Sequence, residues 1–323
     1  MTLTTHHLEF TATALTPLEL DDQAGSAIRG AVVGGLWERF CANKAAPTCA
    51  DCPLIPVCPV AELIAPMRAA GETGGAQRPR PYVVRPPANH ARHYDPGAAL
   101  SFGLGLIGPV ARLFPYLVMA AQAIEQSGLG RRLSANGGRR GALQLAAIAA
   151  VNPLSGARQP LYQRDQAQVQ TPGLPITAAD VTAYAAALPS DQLTLQFHTP
   201  LRLIDGDRLV KRFDPRPFVQ RLAWRLDQLA VAYGDGAPVC DRAALATQLA
   251  DLTLADDRTA WVDVVSSSAR SHQRTPIGGL VGRVTLAGDL APLRELLVWG
   301  SLIHVGKNAV KGDGWYSIAD CRL

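Results

Sequence analysis

An α+β protein of two tandem βαββαβ units, with a cysteine-rich insertion in the first, is what this sequence predicts. Three features predict it. A strand pattern gives way to a helix pattern near the amino end, the same plan returns after residue 192, and four cysteines crowd into the segment directly after the first helix. At 323 residues the chain can bury a sizeable core and divide into two domains of about 150 residues. The expected division is 1–188 and 189–323.

The elements follow in order. Residues 8–14, LEFTATA, alternate apolar and polar positions as a half-buried strand does. After the turn-rich LDDQAG, residues 26–40 place Ile28, Val32, Leu36, Trp37 and Phe40 on one helical face. The Pro-, Gly- and Arg-rich stretch at 71–87 reads as an exposed loop. Residues 98–107 form a second strand and 109–126 a helix closed by Gly128. Two further strands meet at an Asn136-Gly137 turn, and arginines cluster there. In the second half, LTLQFHTPLRL at 193–203 alternates like a strand, and 216–233 carries Phe218, Leu222, Leu226, Leu229 and Tyr233 at helical spacing. Strands at 260–266 and 279–286 precede a helix near Pro292, capped at Asp289. Each half thus has the order of a ferredoxin-like (RRM-like) sandwich.

The cysteine segment, CANKAAPTCADCPLIPVC, offers Cys41, Cys49, Cys52 and Cys58. Four thiols from one short loop suit a structural zinc or an iron-sulphur cluster, and proline at 47, 53, 56 and 59 stiffens that loop. The spacing does not choose between the two. Cys240 and Cys321 stand apart as ordinary thiols. FGLGLIG at 102–108 formally matches Gly-x-Gly-x-x-Gly, but the acidic residue the dinucleotide fingerprint requires is missing, since Glu125 falls within a helix. The glycines read instead as a bend between strand and helix.

Composition excludes several classes. Hydrophobic content of 48% and charged content of 18% describe a globular chain. A net charge of +4 is too small to indicate a polyanion by itself, so the local clusters carry the signal: Arg131/Arg132, Arg139/Arg140, Lys211/Arg212, and Arg270, Arg274 and Arg283. The first residues, MTLTTHHLEF, lack the pattern of a secretory leader, and Arg112, Pro109 and Pro115 interrupt the most apolar window, so no membrane partner and a cytoplasmic site are expected. A reducing compartment argues against disulfides.

The residues also carry a resemblance. GSAIRGAVVGGLW, YVVRPP with FGLGLIGPVARLFPYLVMA, FHTPLRL, GGLVGRVTLAGDL and WGSLIHVGKNAVKGDGWYSI, spread from about residue 8 to residue 318, resemble the RAMP-type endoribonucleases that process CRISPR precursor RNA. The resemblance implies paired ferredoxin-like domains, a glycine-rich loop at 304–315 lying against RNA, and metal-independent cutting within each repeat. It also implies CRISPR repeat RNA as partner, with other CRISPR effector subunits beside it. No cofactor is implied for catalysis.

The chemistry of the loop agrees with this. Gly306, Gly312 and Gly314 let backbone N–H groups approach a phosphate, Lys307 and Lys311 add charge, and Trp315 or Tyr316 offers a stacking face. Cutting RNA without metal asks for a group titrating near neutrality, which makes histidine the natural base, with a cation to offset phosphoryl charge. Among His6, His7, His90, His93, His198, His272 and His304, the catalytic candidates are His304, beside the loop, and His272, set between Arg270 and Arg274, with Lys307 as the cation. Arg29 or Lys44 from the first helix region remains open. Asp313, in KGDGWY, departs from the small or neutral residue expected there and repels phosphate unless it points away or caps a turn. Two other readings stand beside the nuclease: a RAMP subunit that binds guide RNA without cutting, and a cysteine-cluster redox enzyme.

Overall fold

The computed structural model describes residues 2–68, 77–166, 168–267 and 274–319. His272 and Arg270 lie outside them. The chain forms two compact units, one of His6–Pro175 and one of Met1–Thr5 with Ile176–Leu323. No helix is long and apolar enough to cross a membrane among the described residues.

In the first unit β1 (Thr5–Ala14) buries Leu8, Phe10, Ala12 and Ala14, the apolar half of the alternation. A two-residue β2 (Leu18–Glu19) follows, then α1 (Ala24–Phe40), which buries Ile28, Val32 and Leu36. Trp37, expected on that face, is 44% exposed, because the helix turns it outward under the Lys44 ammonium 5.1 Å away. α2 (Pro59–Ile64) ends the cysteine segment. β3 (Tyr82–Arg85) corrects the expectation of an exposed loop: Tyr82, Val83 and Val84 are buried and pair with β5 (Ala99–Ile107), whereas β4 (His93–Tyr94) pairs with β2. A 3-10 turn at Gly108–Leu113 takes the first part of the expected helix, leaving α3 as Phe114–Ser127 with Gly128 at its end. Helix α3 packs on α1 where Gly35 meets the Ala120 backbone; a Cβ there would sit 2.7 Å from the Ala120 oxygen. β6 (Leu129–Leu133) and β7 (Arg139–Gly141) form the arginine ribbon, followed by β8 (Leu143–Val151) and β9 (Arg158–Gln163). The sheet order is β3-β5-β1-β8-β9.

Gly103 and Gly105 lie inside β5 rather than at a bend. A Cβ on Gly105 would meet the His7 imidazole at 2.9 Å, and one on Gly103 would meet the Arg85 side chain at 3.2 Å. The glycines therefore clear space for bulky neighbours on adjacent strands, which removes the dinucleotide reading.

In the second unit α4 (Ala178–Ala186) starts with a capping box in which Thr177 and Asp180 exchange hydrogen bonds. β10 (Gln192–Leu201) leads to the small ribbon of β11 (Leu203–Asp205) and β12 (Arg208–Val210). α5 (Pro215–Tyr233) buries Phe218, Leu222, Leu226 and Leu229, and α6 (Arg242–Gln248) follows. β13 (Thr253–Val262) precedes the ribbon of β14 (Val265–Ser267) and β15 (Arg274–Pro276), and β16 (Gly279–Ala287) returns to the main sheet. Asp289 caps the turn that opens α7 (Arg294–Ile303) by accepting from the Ala291 N–H at 3.1 Å. β17 (Tyr316–Ile318) closes the antiparallel sheet, in the order β13-β16-β10-β17. Phe197, Phe213, Phe218 and Tyr316 cluster beneath it, and the Tyr316 hydroxyl donates to the Leu297 carbonyl at 2.6 Å.

Candidate nucleic-acid interface

The carboxyl-terminal loop is bound tightly to its own unit. Helix α7 stops because His304 adopts a left-handed φ of 59°, and its N–H still reaches Gly300 O at 2.9 Å. From there the chain runs along the end of β10 and the residue after it. Gly314 N–H donates to Pro200 O at 3.0 Å, Lys307 N–H to Arg202 O at 3.0 Å, and Trp315 N–H to Thr199 Oγ1 at 2.9 Å. Thr199 Oγ1 in turn donates to Gly312 O at 2.7 Å. Gly306 and Gly314 both have positive φ, and a Cβ at Gly306 would stand 2.6 Å from Arg202 O while one at Gly314 would overlap Val305 O. Close approach to the protein's own carbonyls is thus what these glycines serve. The amides of Gly312 and Gly314 are spent on Ala309 O and Pro200 O, so they do not make the phosphate cradle expected of them.

His304 is fully buried, its ring lying near-parallel to Trp315 at 6.3 Å. Arg225 donates from Nε to the carbonyls of both Ile303 and His304, at 2.9 and 3.0 Å. Burial pushes the Arg225 guanidinium down to about 10, which leaves it charged at neutral pH. A general base has to come within hydrogen-bond reach of the proton it removes, and the His304 ring is closed off from solvent in this conformation. Lys307 is exposed, Lys311 and Trp315 are half-buried, and Gly306 is partly covered.

Two further groups define the surroundings of the loop. His198, on the open face of β10, is half-buried with Nε2 2.8 Å from Ser317 Oγ, and its ring lies 4.7 Å from that of Trp315. Strand alternation could have found it: with Phe197 inward, Gln196 and His198 face outward. Asp313 is the other. It neither points away nor lies exposed; burial raises its carboxyl to about 8, opposed by a hydrogen bond with Asn308 and the charges of Lys311 and Arg202. At neutral pH it is largely uncharged, which removes the repulsion expected near phosphate.

The arginines fall into separate places. On the β6–β7 ribbon Arg131, Arg132, Arg139 and Arg140 are all exposed. Arg131 pairs with Glu19 at 2.6 Å, whereas Arg132 stands directly across the ladder from Arg140. Arg132 donates to the Gly138 carbonyl at 3.4 Å, and opposed like charges on a ribbon are unfavourable. On the second sheet exposed Arg283 stands across from Arg258, which pairs with Asp256 at 2.8 Å. The backbone of Arg274, in β15, pairs with that of Ser267, in β14.

The cysteine segment does not gather. Among the described residues no three His, Cys, Asp or Glu side chains stand where one metal could be held, Cys41, Cys49, Cys52 and Cys58 included. Cys58 Sγ instead caps α2 through the Ala61 N–H at 3.5 Å, and Cys52 Sγ accepts from Asn43 at 3.6 Å. As folded, these residues do not fit a four-thiolate centre. Lys44 donates to Glu38 O, and Arg29 to the Tyr82 hydroxyl, each at 3.0 Å.

Residues 195–316 match the model of the CRISPR-associated endoribonuclease Cas6, and residues 3–174 match an N-terminal domain model, AF_1859_N. No curated protein matches. Among solved structures, a partial Cas6-RT-Cas1–Cas2 complex is similar at 12% identity and a TM-score of 0.61, over 98% of this chain and 46% of that one. The chain therefore spans less than half the length of that relative. A Cas6 product complex (16% identity, TM-score 0.57) matches 98% of this chain and 100% of its own, and Thermus thermophilus Cas6 (15%, 0.56) matches 99% and 100%.

Proposed function

Because the chain belongs to the CRISPR-associated RAMP-type endoribonucleases, with an AF_1859_N domain at residues 3–174 and a Cas6 domain at 195–316, we propose that it cleaves precursor CRISPR RNA within repeats. We read both units as ferredoxin-like, since β3-β5-β1-β8 and β13-β16-β10-β17 repeat one strand order around two helices. The observation that carries the RNA reading is the Arg132–Arg140 opposition on an exposed ribbon, with no ion pair to either among the described residues, which a phosphate strand relieves.

In the reaction the 2′-oxygen attacks the adjacent phosphorus as a base takes its proton. The P–O5′ bond breaks and the 5′-oxygen takes up a proton, leaving a 2′,3′-cyclic phosphate and a 5′-hydroxyl. His272 keeps its candidacy, and His198 joins it as the described imidazole on the open sheet face, where Ser317 fixes its ring. Lys307, exposed on the loop, offsets phosphoryl charge. The cysteine segment takes no part, and no metal enters a step. The cytoplasm, where such RNA is made, is the proposed compartment.

The burial of His304 favours a second reading, a RAMP subunit that holds guide RNA without cutting. One experiment separates the two. Incubated with its repeat RNA in EDTA, the protein is expected to cut once per repeat and leave cyclic phosphate ends, and less so as His198→Ala or His272→Ala. Salt-sensitive binding without cutting establishes the second reading, and cutting only on addition of divalent metal refutes the mechanism.

A further inference from the structure

Away from the loop, α5, α6 and β11 enclose a groove of about 310 Å³, within the range of small-ligand sites. Its back is apolar, made by Pro217, Ala223, Leu245 and Leu249. Its mouth is not. Trp224 is 48% open to solvent and lines the groove. Beside it stand two guanidiniums held in different ways.

Arg221 is braced, donating from Nε and Nη2 to the Ile204 carbonyl at 3.0 and 2.8 Å. Arg242 is poised. Its side chain is 68% exposed and lies 3.9 Å from Asp227 Oδ2, beyond hydrogen-bond length. Asp227 itself is buried, and its Oδ1 accepts the N–H groups of Val239 and Cys240 at 2.8 and 2.9 Å, while Oδ2 has no hydrogen bond among the described residues. Asp227 thus attracts Arg242 without taking up its donors, and Asp205 and Gln220 add polar groups to the groove's lining.

An aromatic face, a cation with unspent donors and polar edges around an apolar floor are together the recognition set for one unpaired nucleotide: base on Trp224, phosphate at Arg242. We propose that this groove binds a single purine nucleotide, a purine being the base with the larger stacking face. The shared chemistry comes from two sources, a base extruded from an RNA strand or a free nucleotide. Only the first rests on the RNA reading above.

The test uses the full chain, with adenosine 5′-monophosphate and a single-stranded oligoadenylate as probes, followed by fluorescence and by anisotropy. Trp224→Ala should weaken binding about 10- to 100-fold, Trp224→Phe should restore most of it, and Arg242→Gln should weaken the monophosphate but not adenosine. Trp224 is exposed, so unchanged melting curves verify folding of each variant. If the monophosphate binds through Trp224 while oligoadenylate affinity ignores the substitution, the source is free nucleotide. If only oligoadenylate responds, the source is RNA. If neither probe depends on Trp224, the inference is overturned, and the RNA reading survives so long as repeat RNA still binds. Monophosphate binding in a protein that ignores repeat RNA overturns that reading and leaves this one standing.

Discussion

Replacing Asp313 with asparagine should make stability less sensitive to alkali. In the unfolded chain this carboxyl ionises near 3.8, while in the folded protein burial holds it up to about 8, the Asn308 hydrogen bond and the charges of Lys311 and Arg202 offsetting only part of that cost. Between those values the unfolded state releases a proton that the folded state keeps. Stability due to this group is therefore complete below pH 3.8 and is lost as pH climbs to about 8, by at most about 1.4 kcal/mol per unit. Asparagine keeps the shape and has no proton to lose. From pH 5 to pH 8 the variant should gain on the parent by up to about 4 kcal/mol. Urea unfolding at half-unit steps of pH reads this gain directly. Parallel curves for the two proteins over that window would refute the buried, protonated state, and a gap that narrows with rising pH would reverse its sign.

Removing Arg132 and Arg140 together should lower RNA affinity and flatten its dependence on salt by about one to two units of slope, while leaving the melting temperature unchanged or raised, because the two guanidiniums oppose each other. Filter binding across a salt series checks the first part and calorimetry the second. Tyr316→Phe removes a buried hydrogen bond to the Leu297 carbonyl and should cost about 0.5–1.5 kcal/mol in urea unfolding. Gly314→Ala places a Cβ on the Val305 carbonyl at a left-handed backbone position, and its loss of stability should exceed that of Gly137→Ala, where a positive φ meets open space.

The sequence made some of this legible and hid the rest for physical reasons. Helix α5 was plain because Phe218, Leu222, Leu226 and Leu229 repeat at the period of a helix lying on a sheet, and all four are buried. β1 and β10 were plain by their alternation. β3 was hidden, since three buried residues amid prolines and arginines are too few to show a period. α4 was overlooked although Thr177 and Asp180 stand at capping-box spacing. In the loop, glycines signal close approach but not what approaches. Only the fold shows the neighbours to be the Arg202 and Val305 carbonyls, and that His304 is enclosed while His198 is not.

The second unit is sewn shut by the start of the chain. Thr5 exchanges backbone hydrogen bonds with Ile176 at 3.0 and 2.8 Å, and Leu3, Thr5 and Ile176 are wholly buried. Thr5 and Ile176 stand about 170 positions apart, so the bridge closes only once the whole first unit lies between them, and the entropy of closing that span grows slowly with its length. Most of the first unit can thus fold while the residues before it wait for their partner. Splitting the gene between codons 175 and 176 would leave each half carrying or missing a thread that belongs to the other.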